Sequence, residues 1–190
     1  CTPRRRRRTP PEPGSGSGRN RRNRRSRPRA DRRLREDDRN AASVGPHGAT
    51  LYDGSEYRAP AADEGTLTDF HRARLQVIVG TEPDLLAIET ISSTREARAI
   101  GRALEGLPTV PAWVSFTCRD GATTWGGEPI EDVVGVAAAM PSVIAVGVNC
   151  TAPDHVSPLL ERIGRITDLP LVVYTNGGQC WDAVEKVWID

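Results

Sequence analysis

The sequence predicts an α/β protein with a parallel sheet, built from residues 41–190 and preceded by a disordered basic tail. Two observations carry this prediction. Apolar, β-branched runs alternate with helical patterns, and the ends of successive runs lie about 26 to 32 residues apart, the size of a strand–helix unit. The runs are continuously apolar instead of alternating, which indicates strands buried on both faces.

The tail comprises residues 1–40 and differs in composition from the remainder of the chain. Of the chain's 26 basic and 25 acidic residues, 16 arginines and 5 acidic residues lie in the tail, which leaves residues 41–190 acidic. No aliphatic residue larger than alanine precedes Leu34. Because so little apolar surface cannot offset the entropy of ordering, we predict that the tail is disordered.

Two interpretations of the arginines stay open. An Arg-rich arm can bind RNA, DNA or an anionic membrane by releasing counterions. Alternatively, the tail is a solvated segment without a role of its own, or the product of another reading frame. The chain begins with Cys1, and its Arg, Pro, Gly and Ser monotony is typical of GC-rich DNA. We favour the second interpretation, because no aromatic residues interleave with the arginines as a stacking platform requires.

The sequence contains no recognisable signal peptide or membrane span, and its cysteines show no paired spacing. The tail lacks the apolar central run of a signal peptide, and nowhere do 18 consecutive apolar residues occur. The four cysteines are widely separated and form no CxxC pair: Cys1, Cys118, Cys150 and Cys180. We therefore expect a cytoplasmic protein with reduced thiols and no membrane contact.

Helices follow each predicted strand. The first covers 66–79, where apolar residues recur at helical spacing. A capping box of Ser93 and Glu96 opens the second, and Gly106 ends it. Three further helices are predicted. One begins with Pro129 and runs through Met140, one is capped by Asp154, and one covers 182–188.

Strands are predicted at 84–90, 111–118, 143–150 and 169–176, after a short small-apolar run at 41–49. Polar residues stand at the carboxyl end of each one: Glu89-Thr90, Thr117 to Asp120, Asn149 to Thr151, and Tyr174 to Asn176. In barrels and in doubly wound sheets alike, this edge is where ligands bind. The sequence therefore predicts a functional site at the carboxyl edge of the sheet.

Two residues at this edge are the main candidates for chemistry. Cys150 has two interpretations. It is a nucleophile or a soft-metal ligand, since the thiolate is the active form in both roles, or it is a buried cysteine that serves as a small hydrophobe. Glu89 either binds a cationic group such as the amino group of a small substrate, or forms a salt bridge to a helix arginine such as Arg95. Cys118 occupies the equivalent place on the preceding strand, and we interpret it as structural.

Histidines and tryptophans give weaker signals. No HxH or HExxH spacing occurs, and His71 is expected to pack or hydrogen-bond on its helix. The tryptophans, Trp125 among them, can face a cationic sulfonium or ammonium group by cation–π attraction, or serve as core and rim residues. The stretch GATTWGGEP (121–129) lacks the features of a phosphate loop, which argues against a nucleotide site.

Taken together, these segments resemble the homocysteine S-methyltransferase family from about Ala41 to Trp188. The resemblance rests on six stretches in the family's order and spacing: AASVGPHGA (41–49), FHRARL (70–75), DLLAIETI (84–91), PAWVSFTCRDG (111–121), VIAVGVNCTAP (143–153) and PLVVYTNGGQCWDAVEKVW (170–188). The family fold is a (β/α)8 TIM barrel. The resemblance implies that residues 41–190 are a partial (β/α)8 barrel covering about strands three to seven, a partial homocysteine-binding domain.

The resemblance also implies the chemistry. The family transfers a methyl group from a sulfonium donor, S-methylmethionine or S-adenosylmethionine, to homocysteine, giving methionine. A zinc ion (Zn2+) held by three cysteine thiolates binds the homocysteine sulfur. Cys150 in the GxNC motif matches the first zinc ligand, and Glu89 matches the glutamate that contacts the homocysteine amino group. We assign Asn149 to the same substrate-binding site.

Departures from the family pattern lead to a second functional hypothesis. The family's Asp-Gly-Gly stretch on the first strand and its Gly-Gly-Cys-Cys motif, which supplies the other two zinc ligands, are missing from this sequence. Cys118 and Cys180 are poor substitutes. The chain is expected to be either an impaired homocysteine S-methyltransferase, or an inactive barrel fragment whose Arg-rich arm binds polyanions. The methyl donor and the oligomeric state are not decided by the sequence.

Overall fold

A computed structural model describes residues 39–177 in full and the backbone of residues 180–182 and 187–189. Its centre is a five-stranded parallel sheet. The strands are β1 (Ala41–Val44), β2 (Leu85–Ile91), β3 (Ala112–Phe116), β4 (Val143–Asn149) and β5 (Leu171–Tyr174). Each strand pairs in parallel with the next one along the chain, in the order β1-β2-β3-β4-β5. This strictly sequential order is that of a barrel wall, since a doubly wound sheet reverses its strand order at a switch point.

Four helices cover one face of the sheet: α1 (Glu64–Val79), α2 (Thr94–Leu104), α3 (Ile130–Ala138) and α4 (Val156–Ile163). Each helix contacts the next, so the four form a single layer. The core lies between this layer and the sheet, and it includes Leu75, Ile88, Ile100, Val114, Val133 and Val146. Among the described residues, no helix has the length and apolarity that a membrane crossing requires.

The predicted strands and most predicted helices are present, with ends that differ by a few residues. Ser93 accepts a hydrogen bond from the Glu96 backbone N–H, and Gly106 has a left-handed φ of 79° just beyond α2, as the sequence signals indicate. The other half of the predicted capping box is not formed, because the Glu96 carboxylate bonds to His47 and His71 instead. Asp63, which the sequence analysis did not identify, caps α1 through Thr66. Asp154 does not cap α4: it lies inside a 3-10 turn, Pro153–His155, that precedes the helix.

The predicted helix at 182–188 is wrong at the positions of that stretch that the structure describes, 182, 187 and 188. Cys180–Asp182 (β6) and Val187–Ile189 (β7) are strands that pair in antiparallel fashion, with Trp181 opposite Trp188. The β7 residues are β-branched or aromatic, types that lose rotamer freedom in a helix and favour strands. The predicted tail, residues 1–40, lies almost entirely outside the described residues, so its disorder and the boundary at residue 40 stay predictions.

A buried carboxylate ties three segments together at one end of the helix layer. Glu96 is 1% exposed, and its Oε1 accepts a hydrogen bond of 2.6 Å from the His47 backbone N–H. The same oxygen lies 3.0 Å from Nε2 of His71, which is fully buried on α1. His71 is therefore bonded across to α2 and not along its own helix. Through these contacts Glu96 joins the loop after β1 to both α1 and α2.

We expect Glu96→Ala to lower the free energy of unfolding by about 3 kcal/mol, because it leaves two buried polar groups without an acceptor. Urea denaturation followed by circular dichroism measures this change. The matched control is Arg98→Ala, at an exposed position on the same helix, which should change stability by less than about 0.5 kcal/mol. Equal effects of the two substitutions would contradict a structural role for the Glu96 contacts.

Candidate functional site at the carboxyl edge of the sheet

Glu89 lies at the centre of a hydrogen-bond network on the face of the sheet opposite the helices. Its Oε1 accepts a hydrogen bond from the Ser43 hydroxyl on β1. Its Oε2 accepts one of 2.7 Å from the Tyr174 hydroxyl on β5. Ser115 Oγ and Trp113 Nε1, both on β3, lie 2.8 and 3.3 Å from the same tyrosine oxygen. The network therefore spans β1, β2, β3 and β5.

The bond between Glu89 and Tyr174 shows that the sheet is curved. Three strand spacings separate β2 from β5, which corresponds to about 14 Å in a flat sheet. The two side chains nevertheless meet at 2.7 Å, so the face that carries them is concave. Burial, and the hydrogen bond to Glu89, raise the pKa of Tyr174 to about 12. The phenol therefore stays protonated at neutral pH and donates to the Glu89 carboxylate.

Arg95, the alternative partner considered for Glu89, points elsewhere. Its Nη1 donates hydrogen bonds to the backbone carbonyls of Pro60 and Ala62. A carboxylate offers about four lone-pair positions, and in Glu89 two are used by hydroxyl groups. Because the side chain is half-buried and has no cationic partner among residues 39–177, it retains the capacity to accept hydrogen bonds from a charged ligand.

Asn149 connects β4 to β2 across the intervening strand. Its Oδ1 accepts a hydrogen bond of 2.8 Å from the Thr90 backbone N–H, and its Nδ2 donates one of 2.8 Å to the Thr90 hydroxyl. The same Nδ2 lies 3.3 Å from Sγ of Cys150. Asn149 is 1% exposed. Its amide thus holds the ends of two strands together and touches the thiol, while a contact with substrate stays a prediction.

Both strand ends that Asn149 joins have unusual backbone conformations. Thr90 has a φ of 64° and Cys150 a φ of 47°, values that side-chain-bearing residues rarely adopt. A β-branched residue in this region is strained, and the surrounding contacts must offset that strain. Such residues cluster at functional sites, because the conformation turns a side chain in a direction that a regular strand does not allow.

The Cys150 thiol lies among polar groups. It is half-exposed and unpaired, and the Thr90 hydroxyl lies 3.9 Å from its sulfur. The phenol of Tyr57, on the loop between β1 and α1, lies near this thiol. Burial, together with the charge of Cys150, raises the pKa of Tyr57 to about 12. The sequence left two interpretations of Cys150: a nucleophile or metal ligand, or a buried small hydrophobe. Because the side chain is partly accessible, the geometry supports the first of these.

Cys118 has the opposite character. It is 2% exposed and belongs to the apolar core, and burial raises the pKa of its thiol to about 12. The burial of this thiol in the apolar core agrees with its interpretation as a structural residue, which stays a prediction. The side chain of Cys180 lies outside the described residues.

The described part of the chain supplies one donor that suits zinc and does not assemble a complete site. In residues 39–177 no three His, Cys, Asp or Glu side chains are grouped closely enough to hold a metal ion. A protein zinc site needs three or four such ligands. Among the described residues, Cys150 therefore fits as one ligand of the predicted zinc site.

Sequence reasoning missed the partners of the predicted residues. Ser43 and Tyr174 lie 46 and 85 residues from Glu89 along the chain, and Tyr57 belongs to a loop that carried no recognised signal. Tyr174 is one of the polar residues predicted at the strand ends, but no local pattern in the sequence connects it to Glu89. No local pattern marks Ser43 or Tyr57, since their contacts depend on the curvature of the sheet and the path of a long loop.

These features define an α/β protein with a thiol, an amide and a carboxylate gathered at the carboxyl edge of a curved parallel sheet. Comparison with known proteins shows to which family this protein belongs. The family model described as homocysteine S-methyltransferase matches residues 18–190. The chain belongs to the homocysteine S-methyltransferase family.

Individual relatives support this assignment. Homocysteine S-methyltransferase 4 of Zea mays is 44% identical over 167 residues, which cover 85% of this chain and 48% of the relative. Selenocysteine Se-methyltransferase of Brassica oleracea var. italica is 41% identical over 154 residues, covering 79% and 44%. The metallated form of the homocysteine methyltransferase MmuM from Escherichia coli is similar in structure, with a TM-score of 0.68 and 41% identity over 77% of this chain and 51% of that one. The chain spans about half the length of these relatives.

Proposed function

We propose that this chain carries the homocysteine-binding part of a homocysteine S-methyltransferase, within a (β/α)8 barrel of which β1 to β5 are strands three to seven. The observation that carries the proposal is the location of Glu89, Asn149 and Cys150 at one edge of a curved sheet. Family membership and sequential strand order both support it. The alternative is an inactive fragment with a polyanion-binding arm; that arm lies almost entirely outside the described residues, so the alternative stays a prediction.

Glu89 is proposed to bind the amino group of homocysteine. Its carboxylate is held in place by Ser43 and Tyr174 and keeps free lone pairs for an ammonium group. It is adjacent in sequence to Thr90, whose hydroxyl lies 3.9 Å from the Cys150 sulfur. An amino acid anchored at Glu89 can therefore direct its side-chain sulfur along the same edge towards Cys150.

The proposed reaction is an in-line methyl transfer. The homocysteine sulfur, after losing its proton to solvent, attacks the methyl carbon of a sulfonium donor. A new S–C bond forms, the donor's S–CH3 bond breaks, and its electron pair remains on the donor sulfur, which leaves as a neutral thioether. No proton has to be moved at the methyl group, so orientation of the two sulfur atoms is the main contribution that the chain can make.

Cys150 is proposed to be one ligand of a zinc ion, which when bound would lower the pKa of the homocysteine thiol. The similarity to a methyltransferase whose structure is described as a metallated form supports the presence of a metal. In the described residues the side-chain amide of Asn149 donates a hydrogen bond to the Cys150 thiol and so orients it.

Homocysteine is the proposed acceptor because the matching family model and several relatives carry its name.

We expect Glu89→Gln to weaken homocysteine binding roughly 10- to 100-fold, since the ammonium group loses its charged partner. Isothermal titration calorimetry of the full chain measures this change.

The control ligand is 4-mercaptobutanoate, which is homocysteine without its amino group. The wild-type chain and Glu89→Gln should bind this analogue with equal affinity. If the substitution weakens the binding of both ligands to the same degree, Glu89 supports the fold and does not recognise the amino group.

A further inference from the structure

The hydroxyl group of Tyr174 contacts two further side chains besides the Glu89 carboxylate. Its oxygen lies 2.7 Å from Oε2 of Glu89, 2.8 Å from Oγ of Ser115 and 3.3 Å from Nε1 of Trp113. Trp113 and Ser115 alternate along β3 with residues of the apolar core, so both face the concave side of the sheet. The proposed function gives neither of these two residues a role.

The contacts of the Tyr174 hydroxyl are compatible with one direction of donation. An indole N–H can only donate, so Tyr174 accepts a hydrogen bond from Trp113. An ionised carboxylate can only accept, so the single tyrosine proton is directed at Glu89. Burial and the hydrogen bond to Glu89 raise the pKa of Tyr174 to about 12, which keeps that proton in place at neutral pH. Ser115 then donates to the second lone pair of the tyrosine oxygen.

This direction of donation fixes the orientation of the Glu89 carboxylate. The last torsion angle of a glutamate side chain is broad and by itself only weakly restricted. In Glu89 one oxygen accepts a hydrogen bond from Tyr174 on β5 and the other accepts one from Ser43 on β1. Rotation about the last torsion angle would break both bonds. The lone pairs that remain free therefore point in a direction that side chains of β1 and β5 determine.

Trp113 and Ser115 strengthen the contact between Tyr174 and Glu89. A hydroxyl group that accepts hydrogen bonds is polarised by them, and it donates more strongly as a result. Because both lone pairs of the tyrosine oxygen are used, the hydroxyl cannot turn towards another acceptor without losing these bonds. A carboxylate that is held in advance loses little rotational freedom when it binds an ammonium group. For one side chain this advantage corresponds to about 2- to 12-fold in affinity.

We propose that Tyr174 is a positioning residue for recognition of the amino group, an inference that rests on the proposed function. Tyr174 acts through Glu89: the hydrogen bonds from Trp113 and Ser115 hold the tyrosine hydroxyl, and the hydroxyl holds the carboxylate in the orientation in which it binds an ammonium group. Recognition of the amino group therefore depends on β3 and β5 as well as on β2. The network favours a thiol that carries a primary ammonium group over a thiol acid that lacks one.

The test removes the Tyr174 hydroxyl alone. Calorimetry of the full chain should show that Tyr174→Phe binds homocysteine about 5- to 15-fold more weakly than the wild-type chain does. The affinity for 4-mercaptobutanoate, which has no amino group, should be unchanged. Ser115→Ala should weaken homocysteine binding by the same route, about 2- to 4-fold. The matched control is Tyr52→Phe, which deletes a hydroxyl group from a residue that is 86% exposed and should alter neither affinity.

A double variant that combines Tyr174→Phe with Glu89→Gln distinguishes positioning from a purely structural role. If Tyr174 acts through Glu89, then Tyr174→Phe should change the homocysteine affinity of the Glu89→Gln chain by less than about 2-fold. Three results would overturn the proposal: equal losses for both ligands in Tyr174→Phe, no loss for homocysteine, or a loss that persists undiminished in the double variant. Circular dichroism spectra verify that each variant is folded.

Glu89→Gln by itself separates this inference from the proposed function. If Glu89→Gln weakens homocysteine binding selectively and Tyr174→Phe does not, the positioning role alone is contradicted. If Glu89→Gln leaves homocysteine binding unchanged, the proposed role of Glu89 is wrong, and with it any action of Tyr174 through that residue. A wild-type chain without measurable homocysteine binding contradicts both proposals.

Discussion

Replacing Cys150 with serine is expected to reduce the zinc affinity of the chain at least about 100-fold, because a serine hydroxyl stays protonated at neutral pH and is a poor ligand for zinc. The thiol is half-exposed and is oriented by Asn149, so its removal deletes the one donor that the described residues offer to a metal. Competition with a chromogenic chelator measures the zinc affinity. Homocysteine-dependent methyl transfer should decrease in parallel.

Cys118→Ser is the matched control for this experiment. Cys118 is buried in the core, so we expect its replacement to leave zinc affinity unchanged and to lower the free energy of unfolding by about 1 to 3 kcal/mol, the cost of burying a hydroxyl group. If both serine variants lose zinc to the same degree, the assignment of Cys118 as a structural residue is wrong. If Cys150→Ser binds zinc as tightly as the wild-type chain, Cys150 is not a ligand.

The second large effect is expected from Gly147→Ala, in the middle of β4. A Cβ atom at this position would lie 1.8 Å from the carbonyl oxygen of Val172 on β5. Because that atom belongs to the backbone of a paired strand, it cannot move without opening the sheet between β4 and β5. We expect a loss of about 3 to 5 kcal/mol in the free energy of unfolding, or failure to obtain folded protein.

Gly135→Ala is the control for this glycine. Gly135 lies in α3, and a Cβ atom added there would meet no atom within 4 Å. Alanine should stabilise the helix by about 0.5 to 1 kcal/mol, since it loses less backbone entropy than glycine on folding. Urea denaturation of both variants measures the difference. A Gly147→Ala protein that unfolds at the wild-type midpoint would show that β4 and β5 do not approach as closely as described.

The close approach of β5 to Gly147 also explains why the GxNC motif begins with glycine. The sequence places the motif at the end of a buried strand, which is sufficient to predict that Asn149 and Cys150 leave the core at the carboxyl edge. It does not reveal that the neighbouring strand approaches too closely for a side chain at position 147. That requirement arises from the pairing of β4 with β5, two segments that the chain brings together through α4.

The sequence by itself determined the alternation of strands and helices and the edge at which the candidate site residues lie. These properties follow from local patterns, namely apolar runs, capping residues and turn residues, whose meaning depends on neighbours within a few positions. The same local reasoning failed at 182–188, where strand-forming residues outweighed an apparent helix.

Only the tertiary structure decided which side chains surround the candidate site. Ser43 and Tyr174 reach Glu89 because the sheet is curved, and Tyr57 lies near Cys150 because a long loop is fastened to Ser92. Curvature and loop path result from the packing of all the strands and helices together, so no short stretch of sequence encodes them. The candidate site residues can therefore be predicted from the sequence, whereas their partners depend on long-range contacts that form when the chain folds.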